Sequence, residues 1–147
     1  MYELSDKGID LIVSFEGLAL HPYNDANGWA TNGIGHLIRK GPVTADDLPI
    51  TKQQAYDQFR KDAAVEITIV NRLIAASITQ GQFDAMVSLV FNIGVGHFEK
   101  SPIPTLMNQN RFSEVPAAFL EHTKDAKGET LPGLVRRRNA EITLFNS

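Results

Sequence analysis

The sequence contains no cysteine, which excludes disulfide bonds, thiol catalysis and metal sites built on thiolates. Basic residues are also few: 14 Lys and Arg stand against 17 Asp and Glu, for a formal net charge of −3. Because nucleic-acid binding requires a basic face, we expect neither DNA nor RNA as a partner. Apolar runs near the N-terminus are short, since Asp10 interrupts the stretch that ends at Val13. The sequence therefore predicts neither a signal peptide nor stable insertion into a membrane.

What the sequence does contain is typical of a globular domain. Hydrophobic residues make up 43% and charged residues 21% of the 147 positions. A chain of this length can bury about 68–70% of its unfolded surface, which is enough for a hydrophobic core. We expect a single domain over residues 1–147, because no repeat, low-complexity segment or linker interrupts it.

The first forty residues predict one helix followed by a small β region. Ser5 is a plausible N-cap, and apolar residues then recur at helical spacing until Gly17, which is a natural helix stop. From about 20 to 37 the pattern indicates short strands, with turns at about 24–28 and 33–35.

The remainder of the chain predicts helices. A capping box at Thr51–Gln54 begins a long helix over about 52–74, which suits a connector between two lobes. A second capping box at Thr79–Gln82 precedes a helix that is apolar nearly all round, so we expect that helix to be central and buried. Ser113 can cap a further helix, and a last helix is expected from about Pro132 to Phe145.

Three residues between the first helix and the second turn stand out as candidates for chemistry. Glu16 ends the helix, Asp25 follows in a turn, and Thr31 lies in the next strand. The turns and short strands can bring these side chains together, and two carboxyl groups flanking a cleft are the minimal machinery for cleaving a glycosidic bond. Taken one at a time, each has an ordinary explanation: a polar helix end, a turn former and a strand threonine.

The histidines and arginines have less distinctive patterns. His36 is better explained as a structural residue than as an acid or a ligand. The other histidines form no metal-ligand pattern with it, so no metal site is predicted; they are His21, His97 and His122. Three consecutive arginines, 136–138, are either a solvated basic face or include one side chain that turns inward, toward the first helix.

Several motifs with fixed spacing resemble those of the bacteriophage lysozymes, the endolysins of glycoside hydrolase family 24. The resemblance covers nearly the whole chain, and the Glu-x8-Asp-x5-Thr spacing before a Gly-Ile-Gly-His turn is its most specific part. The motifs are Phe15-Glu16-Gly17-Leu18, Tyr23-x-Asp25, Gly28-Trp29, Thr31-x-Gly33-Ile34-Gly35-His36, Asn92-Ile93-Gly94-x-Gly96-x-Phe98 and Leu131-Pro132-Gly133-Leu134-Val135-x-Arg137-Arg138-x-Ala140-Glu141. The chain departs from the expected pattern at Ala30, at Asn32 and by lacking a tryptophan in the segment 121–123.

The resemblance implies a fold and a reaction. The expected fold is an α+β, two-lobed lysozyme-like domain, with a small β-containing lobe at about 18–50 and the cleft between the lobes. The N-terminal helix and about 75–147 would form the larger helical lobe. The expected reaction is hydrolysis of the β-1,4 bond between N-acetylmuramic acid and N-acetylglucosamine in peptidoglycan, with inversion and without a cofactor.

By match to the family motif, residues of this chain take specific roles. Glu16 would be the general acid, and Asp25 and Thr31 would hold or activate the attacking water. Tyr23, His36 and Arg137 are candidates for substrate binding or for support of the site. A lytic transglycosylase and a catalytically silent wall-binding domain are the alternatives, and the presence of all three catalytic candidates argues against both.

The resemblance also implies partners and a place of action. We expect a monomer that accumulates in the host bacterial cytoplasm until a holin breaches the membrane. It would then act on the glycan strands of the peptidoglycan layer.

Overall fold

Eight helices and a three-stranded sheet make up the computed structural model, which describes all 147 residues. The helices are too short or too polar for any of them to cross a lipid bilayer. The elements in chain order are α1 (Asp6–Glu16), β1 (Ala19–Asn24), β2 (Ala30–Gly33), β3 (His36–Arg39), α2 (Lys52–Asp62), α3 (Ala64–Leu73), α4 (Gln80–Ile93), α5 (Val95–Lys100), α6 (Ile103–Asn108), a 3-10 turn (Phe112–Glu114), α7 (Val115–Phe119) and α8 (Pro132–Phe145).

The sheet lies in the first of two structural units, residues Ile12–Ala64. Its strands are antiparallel in the order β1-β2-β3, and Thr31 is paired with Tyr23 on one side and with Leu37 on the other. The central strand β2 is the most buried of the three and packs against α2. The predicted small β region near the N-terminus is therefore confirmed.

The segment expected to be one long helix over about 52–74 is two helices. The capping box is present, because the Thr51 side chain accepts a hydrogen bond from the Gln54 backbone and the Gln54 side chain accepts one from the Thr51 backbone. However, α2 ends at Asp62, and the fully buried Ala63 has φ −93° and ψ 16° before α3 begins. Nothing in the intrinsic helix propensity of alanine predicts a break at Ala63.

The second unit, Met1–Leu11 with Val65–Ser147, is built around α4. Its capping box at Thr79–Gln82 is present, and all ten residues from Gly81 to Val90 are buried. The prediction of a central, buried helix is confirmed, as is that of a final helix from Pro132 to Phe145.

Helices α4 and α8 pack very closely at one point. A Cβ atom added to Gly81 would lie 2.4 Å from the carbonyl oxygen of Leu144 and 2.6 Å from Oγ of Ser147. Because Cβ atoms do not approach backbone oxygens so closely, only glycine fits between the two helices here. The division into lobes at about 18–50 and 75–147 stays a prediction, and α1 itself crosses from one unit to the other after Leu11.

Candidate active site

Glu16 is the last residue of α1, and its side chain is exposed. The helix ends because Gly17 adopts φ +86°, while its N–H still donates to the carbonyl oxygen of Val13 at 2.8 Å. Glycine enters this left-handed region without the steric cost that a Cβ imposes. The local sequence thus places a carboxyl group at the end of a helix, next to a sharp change of direction.

Asp25 is held by the backbone of its own turn. Its Oδ1 accepts hydrogen bonds from the backbone N–H groups of Asn27 at 2.8 Å and Trp29 at 2.9 Å. Gly28 closes the turn with φ +77°, and its N–H donates to the Asp25 carbonyl at 2.9 Å. The second carboxylate oxygen, Oδ2, accepts no hydrogen bond from the protein, so the turn fixes the carboxylate and leaves one oxygen available to a ligand or a water.

Thr31 lies in β2 and is only 4% exposed. Its Oγ1 donates to the carbonyl oxygen of Trp29 at 3.0 Å. The hydroxyl proton is therefore committed to the Trp29 carbonyl. The lone pairs of Oγ1 remain, so Thr31 can accept a hydrogen bond from a water.

The backbone of Trp29 joins the two residues. Its N–H donates to Oδ1 of Asp25, and its carbonyl accepts both the Asp25 N–H at 2.9 Å and the Thr31 hydroxyl. Sequence reasoning missed this role of Trp29, although the Asp-x-x-Gly turn just before it is a signal that the following N–H groups point at the aspartate. Glu16, Asp25 and Thr31 all belong to the unit Ile12–Ala64.

Two of the supporting candidates lie in the same unit. Tyr23 is 43% exposed on β1 and is the strand partner of Thr31. The Nδ1 atom of His36 lies 2.8 Å from Oδ2 of Asp62, an ion pair when the histidine is protonated, so His36 ties β3 to the end of α2. No group of three or more His, Asp or Glu side chains is arranged to hold a metal ion.

Arg137, the third supporting candidate, belongs to a buried cluster in the second unit. We call Ser88, Asn92, Arg137, Arg138 and Glu141 the α4–α8 ion cluster. Arg137 and Arg138 are 3% and 0% exposed, so these two side chains turn inward and do not form a solvated basic face. An orientation toward the first helix stays a prediction. The contacts that define the cluster lie on α8 itself and on α4, and a supporting role for Arg137 at Glu16 stays a prediction.

The cluster is built around one carboxylate and two guanidinium groups. Glu141, also fully buried, accepts a hydrogen bond from Oγ of Ser88 at 2.5 Å on Oε2. Nε of Arg137 lies 3.4 Å from the same oxygen, and Nε of Arg138 lies 2.9 Å from Oε1. Arg138 also donates from Nη2 to Oδ1 of Asn92.

Burial dominates the electrostatics of this cluster. Desolvation raises the pKa of Glu141, against the opposing effects of Arg138, Ser88 and Arg137. Desolvation likewise lowers the pKa of Arg138, because a charged group loses hydration when it is buried.

Comparison with known proteins identifies the class to which the chain belongs. A family model described as phage lysozyme matches residues 13–141. The chain is 38% identical over 147 residues to the endolysin of Acyrthosiphon pisum secondary endosymbiont phage 1, covering 98% of each. It is also 38% identical to the endolysin of Bacillus phage PZA over 99% of its own length, but spans only 55% of that protein. A solved structure of P22 lysozyme superposes with a TM-score of 0.84 and 30% identity over the whole of both chains.

The chain belongs to the phage lysozyme family. The predicted α+β, lysozyme-like fold is confirmed by this membership and by the structural match. The predicted activity is confirmed with it: the protein is a muramidase that hydrolyses bacterial peptidoglycan in host-cell lysis.

Proposed function

We propose that this muramidase inverts the anomeric carbon, with Glu16 as the general acid and Asp25, assisted by Thr31, holding the attacking water. The observation that carries the proposal is the state of the Asp25 carboxylate. Two backbone amides hold Oδ1, while Oδ2 has no hydrogen bond from the protein. A carboxylate with one fixed and one open oxygen can accept a proton from a water in a defined direction.

The division between acid and base follows from the two environments. Glu16 is exposed at the end of a helix, where its carboxyl group can reach the leaving oxygen of a bound glycan. Asp25 is anchored by its turn and so has little freedom to approach the sugar as a nucleophile. Inverting glycosidases keep the two carboxyl groups roughly 6.5–9.5 Å apart to leave room for one water.

Thr31 has a secondary role in this proposal. Its hydroxyl proton is committed to the Trp29 carbonyl, so it can only accept a hydrogen bond from the water. Since Thr31 is 4% exposed, it offers little surface to a ligand. We therefore assign the main hold on the water to Asp25.

The remaining candidates act around this centre. Tyr23, half exposed beside Thr31 in the sheet, is placed to contact a sugar ring. His36 supports the sheet through Asp62 rather than taking part in proton transfer. Arg137 contributes through the packing of α8.

The stereochemistry of the first product tests the mechanism. Proton NMR during digestion of a β-linked glycan should show the α-anomer first, before mutarotation. Initial release of the β-anomer would show retention and would refute this assignment of roles.

Two further experiments test the role of Glu16 as the general acid and distinguish hydrolysis from the lytic transglycosylase reaction. Glu16→Gln keeps the size of the side chain but cannot donate the required proton, so activity should fall by about 10²–10⁴-fold with folding unchanged. Mass spectrometry of the released muropeptides should show reducing ends. Anhydro sugars would instead indicate a lytic transglycosylase, for which Asp25 and Thr31 would have no water to hold.

Delivery to the wall is a further part of the proposal. We propose a monomer that accumulates in the host cytoplasm and reaches peptidoglycan after a holin permeabilises the membrane, as the resemblance to phage endolysins implies. Expression of this chain alone in a bacterium should leave the cells intact until chloroform or a co-expressed holin is added. Prompt lysis without either would contradict this route, and light scattering would test the monomeric state.

A further inference from the structure

A large cavity lies in the first unit, on one face of the sheet. It has a volume of about 570 Å³ and is lined by side chains of β2, β3 and α2 together with the segment 46–50. We call it the sheet–α2 cavity. All its lining residues fall between Asn32 and Lys61, within the unit Ile12–Ala64. Ligand sites in proteins typically have volumes of about 300–1,000 Å³, so the cavity is large enough for a ligand.

The cavity lies on the face of the sheet opposite to Thr31. Neighbouring residues of a strand point to opposite faces, so Thr31 and Asn32 lie on different faces. Thr31 is paired with Leu37, and Asn32 is paired with His36. Asn32 and His36 both line the cavity, and the proposed proton transfers involve none of its lining residues. The cavity therefore requires an explanation outside the catalytic step.

Two side-chain amides in the cavity have hydrogen-bonding groups without a protein partner. Asn32 is a position at which the sequence departs from the expected motif, and its amide makes no hydrogen bond with the protein. The oxygen of Gln54 accepts a hydrogen bond from the Thr51 N–H at 2.9 Å, while its NH₂ group has no partner. The cavity thus offers amide donors and an amide acceptor, which is the complement of a peptide group.

Two charged side chains of the cavity are unpaired, and their charges are opposite. The carboxylates of Asp47 and Asp57 are each paired with an arginine. Asp46 and Lys61, by contrast, are exposed and form no salt bridge. A ligand that carries one positive and one negative group would satisfy both charges. The charge pattern therefore favours a zwitterionic ligand over a simple anion or cation.

Apolar side chains complete the lining. They are those of Ile38, Leu48 and Ile50. Leu48 is 71% exposed, more than any other large apolar side chain except that of Met1. A ligand with aliphatic groups would remove part of this surface from water, which is favourable. No phenylalanine, tyrosine or tryptophan lines the cavity, so it lacks the flat apolar surface on which a sugar ring packs.

We propose that the sheet–α2 cavity binds a stem peptide of peptidoglycan that is not cross-linked, and so anchors the enzyme to the wall. A stem peptide carries peptide groups, alanine methyl groups, carboxylates and, until a cross-link forms, the free amine of a diamino acid. Asn32 and Gln54 would bind a peptide group, Lys61 a carboxylate, and Asp46 the amine. The proposal rests on the muramidase function, because peptidoglycan is the polymer that presents these groups together.

The position of the cavity indicates which property of the enzyme this contact serves. Because the cavity is on the face away from Thr31, the bound peptide would belong to a disaccharide other than the one being cleaved. The contact involves no reacting atom, so it should affect the affinity for the polymer and leave the chemistry of the bond unchanged. We therefore expect an effect on KM for intact peptidoglycan and none on kcat.

Two variants that remove opposite charges test the site. Lys61→Gln and Asp46→Asn break no salt bridge, so folding should be unchanged. Each should weaken the binding of a synthetic stem tetrapeptide with a free diamino-acid amine by about three- to tenfold, because a hydrogen-bonded charge pair is lost. The substitutions shift the net charge in opposite directions, so a nonspecific electrostatic attraction would weaken in one variant and strengthen in the other. Any result other than a loss in both variants would overturn the proposal.

Lys100→Gln is the matched control for the lysine. Lys100 is exposed in the last turn of α5, as Lys61 is in the last turn of α2, but it lies outside the cavity. Its replacement should leave binding within about twofold of wild type. A loss equal to that of Lys61→Gln would show that the position of the positive charge is unimportant, which would also overturn the proposal.

Changes to the peptide identify the group that each residue binds. Titration in the Glu16→Gln background, followed by NMR, measures binding without turnover. When the amine of the peptide is acetylated, Asp46→Asn should have no further effect, while Lys61→Gln should still weaken binding. The unmodified peptide should shift the side-chain amide ¹⁵N–¹H signals of Asn32 and Gln54. Unshifted signals would refute binding in this cavity.

Activity on two substrates separates this inference from the catalytic proposal. On intact peptidoglycan, both cavity variants should raise KM by about three- to tenfold with kcat unchanged. On glycan strands from which an amidase has removed the stem peptides, both should match wild type. An equal defect on the two substrates would overturn the wall-anchoring site. Catalytic roles other than those assigned would leave the binding measurements unaffected, so the two proposals can fail independently.

Discussion

Two carboxylates in this protein are held in opposite ways. Asp25 is bound by backbone N–H groups two and four residues further along the chain, within a turn near the surface. Glu141 is fully buried and bound by side chains, among them Ser88, which is 53 residues away in sequence. The first arrangement is made by local geometry and keeps one oxygen open, while the second exists only where α4 and α8 pack together.

The difference separates activity from stability. A turn that satisfies its own hydrogen bonds contributes little to the packing of distant elements, so changes at Asp25 should alter catalysis and leave the fold nearly intact. A buried carboxylate between two guanidinium groups has no solvent to replace a lost partner. Changes at Glu141 should therefore alter stability first, and the following variants test this contrast in order of their expected effect on stability.

The largest loss is expected for Glu141→Gln. The substitution keeps the shape of the side chain but removes the charge that Glu141 sets against the fully buried Arg138, which should lower the free energy of unfolding by about 3–5 kcal/mol. Urea denaturation followed by circular dichroism measures the change. Glu121→Gln, an exposed exchange of the same kind, should stay within about 0.5 kcal/mol. If both variants had the same midpoint, the cluster would contribute nothing to stability.

The next largest effect is expected for Gly81→Ala. The added methyl group would lie 2.4 Å from the Leu144 carbonyl oxygen, so α4 and α8 must separate, at a cost of about 1–3 kcal/mol. Gly96→Ala is the matched control, because a Cβ at that helical position meets nothing within 4 Å. There the change should be neutral or stabilising by up to about 1 kcal/mol, as the alanine reduces the entropy of the unfolded chain. Thermal unfolding measures the two variants, and equal midpoints for Gly81→Ala and Gly96→Ala would contradict the close packing of α4 and α8.

A small effect on stability with a large effect on activity is expected for Asp25→Asn. The amide oxygen can still accept from the N–H groups of Asn27 and Trp29, so the free energy of unfolding should change by less than about 1 kcal/mol. Turnover of peptidoglycan should fall by about 10²-fold or more, because an amide cannot take a proton from the water. A stability loss as large as that of Glu141→Gln would show that the turn depends on the charge of Asp25.

The smallest effect on stability is expected for His122, and it should appear only at acidic pH. Burial lowers the pKa of His122, assisted by Arg138 and His97 and opposed by Glu121. The unfolded chain therefore binds a proton at a higher pH than the folded protein, and the stability present above about pH 6.5 should be lost as the pH falls below it. His122→Gln should remove this part of the pH dependence. Unfolding curves of the two proteins between pH 7 and pH 5 should converge in acid, and parallel curves would contradict the assignment.

The parts of this structure that could be predicted from sequence have their partners within a few residues. The capping boxes at Thr51 and Thr79 and the turn around Asp25 each satisfy their own backbone groups locally, so residue type and spacing define them. The buried helix α4 was also predictable, because an apolar surface all round a helix has only one favourable environment.

Other features followed only from the tertiary structure. The end of α2 at Ala63 has no signal in its residue type, and the partners of Arg138 depend on the packing of α8 against α4. An arginine run reads the same in sequence whether it is solvated or buried. The packing of α8 against α4 determines its environment. Desolvation of a guanidinium group costs free energy, and only a partner such as the carboxylate of Glu141 offsets that cost.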